Sequence, residues 1–144
     1  MKTSHPLIVL LDTSFLLAML EQRRDIDEEL RDFINGPIRI ATLDMVEREL
    51  QRIGRTRSSK TGASANACLE LLKARKYSIF PAGIETSDTD AAILSFSLAR
   101  NGPLAVATVD RKLRAALSRL GVVTVYPKRF RGLLMSRDSS SSST

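Results

Sequence analysis

From residue 7 onward, short apolar runs alternate with longer stretches of helical spacing, and no other property of the chain narrows its fold as much. Such alternation describes βα units around a mainly parallel sheet. Strands are expected at 7–11, 38–41, 78–80, 105–108 and 122–126. Helices are expected at 15–20, at 27–34, through Met45, Val46, Leu50 and Ile53, at 65–75, at 89–100, where Ile93, Leu94 and Leu98 face the core, and at 111–120. Asn35-Gly36-Pro37 and Asn101-Gly102-Pro103 stop two of these helices. Between helices, 55–64 reads as a mobile basic loop. The expected fold is a three-layer α/β/α sandwich with a central, mainly parallel five-stranded sheet over residues 1–127. A basic, Ser-rich tail without a core follows over 128–144 and is expected to be flexible.

At 144 residues, 43% of them apolar, one domain can build its core without disulfides. The single cysteine, Cys68, excludes a secreted disulfide framework and fits a reducing cytoplasm. The apolar start is no secretory signal, because Asp12 interrupts it and the charged string EQRRDIDEE follows in place of a cleavage site. Neither apolar run is long enough to span a bilayer.

In open parallel sheets, ligands bind outside the carboxyl ends of the strands. Four separated parts of this chain each bring a carboxylate to that edge. Asp12 follows the first strand directly, and Glu49 lies in the first turns of the helix after the second. Asp90, with Asp88 beside it, opens the helix before the fourth strand, and Asp110 follows the fourth by two residues. Gathered together, such charges repel at about 4 kcal/mol per pair at ~4 Å and an effective dielectric of roughly 20. A hard divalent cation, Mg²⁺ or Mn²⁺, is the natural neutraliser. Singly, Asp88, Asp90 and Asp110 also read as helix N-caps, and Glu49 as a solvated helix residue. Asp12 is less easily dismissed: a charge between two apolar runs is costly to bury unless it is paired or bound to metal.

Four strings in order resemble the blocks of the PIN domain nucleases. LLDTSFLL resembles their first strand, which ends in Asp followed by Thr or Ser and a small polar residue. DMVEREL resembles the helix that carries an acid just before Leu, DTDAAILSFSLARNG the block in which Asp precedes an apolar helix, and ATVDRKLRAAL the final Thr-x-Asp-Arg block. The resemblance runs from Leu7 to Leu120. It implies metal-binding acids at Asp12, Glu49, Asp90 and Asp110, with Asp88 sharing or replacing Asp90 and Glu47 the alternative to Glu49. It also implies polar support from Ser14 and Thr108. Val109 stands where many relatives carry Asn. The DR-x-L pattern and the GVVTVY strand look most like the archaeal and eukaryotic branch linked to small-subunit ribosomal RNA processing. RNA as substrate, and a homodimer, are implications of the same resemblance.

The chemistry this set supports is phosphodiester hydrolysis, in which bound metal acidifies water and stabilises the leaving oxygen. His5 is the only histidine and precedes the first strand, so a histidine base is not expected; Cys68 reads as core, and no zinc set exists. Of the charge of +6, two clusters stand outside the acids. Arg52, Arg55, Arg57 and Lys60 occur with no acid between Glu49 and Glu70, and Lys128, Arg129, Arg131 and Arg137 lie near the end. Both read as phosphate contacts or, singly, as ordinary solvated surface. Aromatic content of 5% argues against a dominant base-stacking platform. The leading expectation is a metal-dependent endoribonuclease in ribosomal RNA processing. The alternatives are a toxin ribonuclease restrained by an antitoxin and a non-catalytic RNA-binding assembly factor. A phosphatase or receiver domain using Asp12 as nucleophile lacks the second Asp it would need.

Overall fold

The computed structural model describes residues 5–56 and 58–136. Its elements in order are β1 (Leu7–Leu11), α1 (Thr13–Glu21), α2 (Ile26–Phe33), β2 (Ile38–Leu43), α3 (Asp44–Gly54), α4 (Lys60–Ala74), β3 (Ser78–Phe80), α5 (Thr89–Ala99), β4 (Leu104–Ala107), α6 (Arg111–Arg119), β5 (Val123–Pro127) and β6 (Leu133–Ser136). They form one sheet in the order β3-β2-β1-β4-β5-β6. The first five strands are parallel, and β6 runs antiparallel to β5.

β1 is central because it is apolar on both faces. Val9, Leu10 and Leu11 are fully buried, and they pair with β2 on one side and β4 on the other. Phe15, Leu16 and Met19 of α1, Val46 and Leu50 of α3, Cys68 and Leu72 of α4, Ile93 of α5 and Leu117 of α6 complete the core. From β1 the chain builds outward through β2 and β3, then returns to place β4 on β1's other edge. The order therefore reverses between β1 and β4, and a crevice opens at their carboxyl ends. No helix among the described residues is long and apolar enough to cross a membrane.

Three expectations need correction. Among the described residues the sheet has six strands, since β6 lies in the segment expected to be tail. Its register pairs Thr124 with Ser136 and Pro127 with Leu133, and Leu133 is buried. The turn closes through a bond from Lys128 N to Gly132 O of 2.8 Å, with Gly132 at φ +86°, a conformation that favours glycine. What holds this hairpin comes from far away in sequence. Arg24 and Glu29 form a bidentate pair with side chains only 5% and 14% exposed. Arg24 also donates to the carbonyls of Lys128 and Gly132, and Gly132 N donates to Glu29. No local pattern announces such a strand.

The second correction is α4, which begins at Lys60 within the expected loop. Ser59 caps it by accepting from Gly62 N at 2.9 Å. A Cβ on Gly62 would sit 1.8 Å from the Thr56 carbonyl oxygen, so the tight entry needs glycine. The third is Leu98, expected in the core but 67% exposed, because α5 turns that position to solvent while Ala92 and Ile93 face inward. Arg57 and the Ser-rich residues 137–144 lie outside the described residues.

Candidate active site

Asp12 leaves the end of β1, its backbone N–H donating to Ala107 O at 2.9 Å. It occupies the N-cap position of α1 without capping it, because its carboxylate is engaged elsewhere. Oδ2 accepts from Ser14 Oγ at 2.7 Å and from Thr108 Oγ1 at 2.8 Å. Those hydroxyls lie 3.1 Å apart, and Ser14 Oγ also accepts from Val109 N. Thr108 Oγ1 accepts from Asp110 N at 3.1 Å. One network of short polar side chains thus ties the end of β1 to the end of β4. Asp12 is 4% exposed; burial pushes its carboxyl above the usual range, and the two hydroxyls oppose that rise.

Around Asp12 an open pocket of about 470 Å³ is lined by Thr13, Ser14, Glu49, Asp88, Asp90 and Asp110, with Leu17, Ile53, Ser87 and Thr89. Glu49, not Glu47, faces it. Glu49 is oriented by Thr13, whose Oγ1 donates to its Oε1 at 2.6 Å. Local pattern does not single out Thr13; its one signal in the sequence is its place directly after Asp12, where a hydroxyl can reach across to α3.

Capping and pocket lining coexist in the same residues. Asp88 Oδ1 accepts from the N–H groups of Asp90 and Ala91, and Asp110 Oδ1 from those of Lys112 and Leu113. Among the described residues these bonds fall on one oxygen of each carboxylate, so the cap fixes the group while Oδ2 remains for a ligand. Asp90 does not cap. Burial, and after it the charges of Asp12, Asp110, Asp88 and Glu49, push its carboxyl up to about 6.

Among the described residues no three His, Cys, Asp or Glu side chains form a ready metal-holding group. The acids instead line an open pocket. That suits Mg²⁺, which usually keeps several waters and takes one or two carboxylates plus substrate phosphate rather than a closed protein cage. The donors are all hard oxygens, and after burial the neighbouring acid charges, which a cation would offset, are what raise the Asp90 carboxyl. On both counts the residues fit a divalent ion.

The expected basic residues stand outside the pocket. Arg52 reaches Glu49 at 3.8 Å, Arg55 and Lys60 are exposed at the α3–α4 connection, and Lys128, Arg129 and Arg131 are exposed on the β5–β6 turn. None of these six lines the acid pocket. His5 is exposed at the start of the described chain. Cys68 is buried, which pushes its thiol up to about 12, so it is an inert core residue.

No family model matches the chain. It is similar to Ribonuclease VapC4 of Methanocaldococcus jannaschii, at 26% identity over 121 residues covering 83% of this chain and 90% of that protein. Its structure is similar to that of the PIN domain endonuclease Utp24, with a TM-score of 0.78, 20% identity and 92% of each chain covered.

Proposed function

With the PIN-domain fold as premise, we propose that this protein is a divalent-metal-dependent endoribonuclease that hydrolyses RNA phosphodiester bonds during the processing of ribosomal RNA precursors. The observation that carries the reading is the convergence of Asp12, Glu49, Asp88, Asp90 and Asp110, drawn from four separated stretches of chain, on one pocket at the β1/β4 switch point. Asp12, Asp90 and Asp110, with Asp88 and Glu49 at the margin, would hold Mg²⁺ or Mn²⁺. Bound there, such an ion lowers the pKa of water and stabilises charge on the leaving oxygen. The chain's own part is to orient these acids: Ser14 and Thr108 hold Asp12, and Thr13 holds Glu49. Arg52, Arg55, Arg57, Lys60, Lys128, Arg129 and Arg131 would take the flanking phosphates.

The test is cleavage of precursor-type RNA in Mg²⁺ or Mn²⁺ by the full chain and by Asp12→Asn. Activity is expected to vanish in the variant and on chelation. Equal activity in the two proteins, or indifference to chelator, would overturn the reading. The likeness to Ribonuclease VapC4 favours a second reading, a toxin ribonuclease held by an antitoxin. Growth arrest on expression, relieved by the product of an adjacent small gene, would select it.

A further inference from the structure

We propose that the β5–β6 turn is a stacking site for an unpaired base of the RNA, with Phe130 as the stacking side chain. The inference rests on the ribonuclease reading and narrows its substrate to single-stranded segments. Phe130 is 82% exposed. Its neighbours Lys128, Arg129 and Arg131 are exposed cations. The Arg129 guanidinium lies 5.7 Å from the ring centroid, the arrangement in which a cation reinforces a stacking surface.

The turn that carries Phe130 is fixed with unusual investment for a surface loop. The nearly buried Arg24–Glu29 pair bonds to both ends of it, through the Lys128 and Gly132 carbonyls and the Gly132 N–H. A ring mounted on a fixed backbone loses less freedom on binding than one on a mobile loop. The turn also lies at the correct edge of the sheet. Thr108 N donates to Val125 O, so β5 ends beside the segment that leads from β4 to Asp110 of the pocket. Phe130 is five residues further along, at most roughly 17 Å of chain at ~3.4 Å per residue. One strand of RNA can thus reach both.

The charges around the recess beneath the turn set the orientation. Asp25, just before α2, and Glu28 and Asp32 of α2 line the recess and repel phosphate there, offset in part by Arg23, whereas Lys128 and Arg131 border it from the turn. Backbone phosphates therefore go to the basic side of the turn, leaving the base for the ring. A duplex offers no free base face, so only unpaired RNA gains from the stack.

The experiment measures affinity of the full chain in chelator, which prevents cleavage, for a short unstructured oligoribonucleotide and for the duplex of the same sequence. Phe130→Ala is expected to weaken single-strand binding about ten-fold. Phe130→Trp should restore it, and duplex binding should not move. Salt dependence should be unchanged in Phe130→Ala, because stacking releases no counterions. Unaltered single-strand affinity in Phe130→Ala would overturn the proposal. So would an equal loss on duplex and single strand, or an effect confined to self-association in sedimentation. If the wild type cleaves RNA in Mn²⁺ and these variants fail the test, only the stacking site falls; if the wild type neither binds nor cleaves RNA, the ribonuclease reading falls with it.

Discussion

Asp12 is held by two hydroxyls on one oxygen, so its buried charge is partly stabilised before any cation arrives. Asp12→Asn keeps the shape and removes the charge. Cleavage should fall by at least about a hundred-fold, while thermal unfolding in chelator shows a fold as stable as wild type or more so. Thr13→Val tests the smaller role of orienting Glu49. Loss of the 2.6 Å bond should cost about ten-fold in kcat with KM for RNA little changed, the range typical of groups that steer metal-binding acids.

Asp90 gives a pH signature of defined sign. Its carboxyl is raised from 3.8 to about 6, so between these values the folded chain holds a proton that the unfolded chain has released. Metal-free stability should therefore fall as pH rises through that window. The rise corresponds to roughly 3 kcal/mol at full strength, and solvent screening of this partly exposed group leaves about 1 kcal/mol. Urea unfolding in chelator should show this slope in wild type and a flatter profile in Asp90→Asn.

Among the elements, the β5–β6 hairpin depends most on a distant partner. Arg24→Met leaves Glu29 without its cation and the Lys128 carbonyl without its side-chain donor, while Gly132 O keeps only the Lys128 N–H. A loss of about 3 kcal/mol is expected at neutral pH, read by urea denaturation. The Arg24 guanidinium holds the Glu29 carboxyl below its ordinary value. The stability this pair supplies is thus present above the unfolded carboxyl's pKa and lost as pH falls through the depressed folded value. The elements themselves differed in how visible they were. β1, α3 and α6 carry strong periodicity or continuous apolar runs, and all three lie where the sequence places them. The start of α4 was hidden because Lys60 to Gly62 are polar or small, and what starts the helix is the Ser59 cap and the glycine contact with Thr56.

For the whole molecule, charge is segregated. The net +6 combines an acidic pocket at the β1/β4 crevice with exposed cations on the α3–α4 connection and the β5–β6 turn. RNA affinity should fall steeply with added salt, and Arg129→Ala should lower the slope of log affinity against log salt by about 0.7, the share of one phosphate contact on a single strand. Filter binding across a salt series reads this directly. Arg129 and Phe130 are neighbours with different physics: the arginine changes the slope, the phenylalanine the intercept.

The sequence by itself determined the alternation of strands and helices, hence the parallel sheet, and it determined which acids stand at strand ends, because both are local facts of spacing and burial. Asp12 stands out singly for that reason, whereas Asp88, Asp90 and Asp110 each read equally as helix caps. Only the tertiary structure shows that Glu49 and not Glu47 lines the acid pocket, since this depends on which face of α3 turns toward Thr13. It also decided that Asp88 and Asp110 cap with one oxygen and leave the other, that β6 joins the sheet, and that Phe130 stands on a fixed turn. Each of these rests on groups that are distant in the chain, Thr13 with Glu49 and Arg24 with Gly132. Such pairings follow from how the layers close on one another, and local spacing carries no record of them.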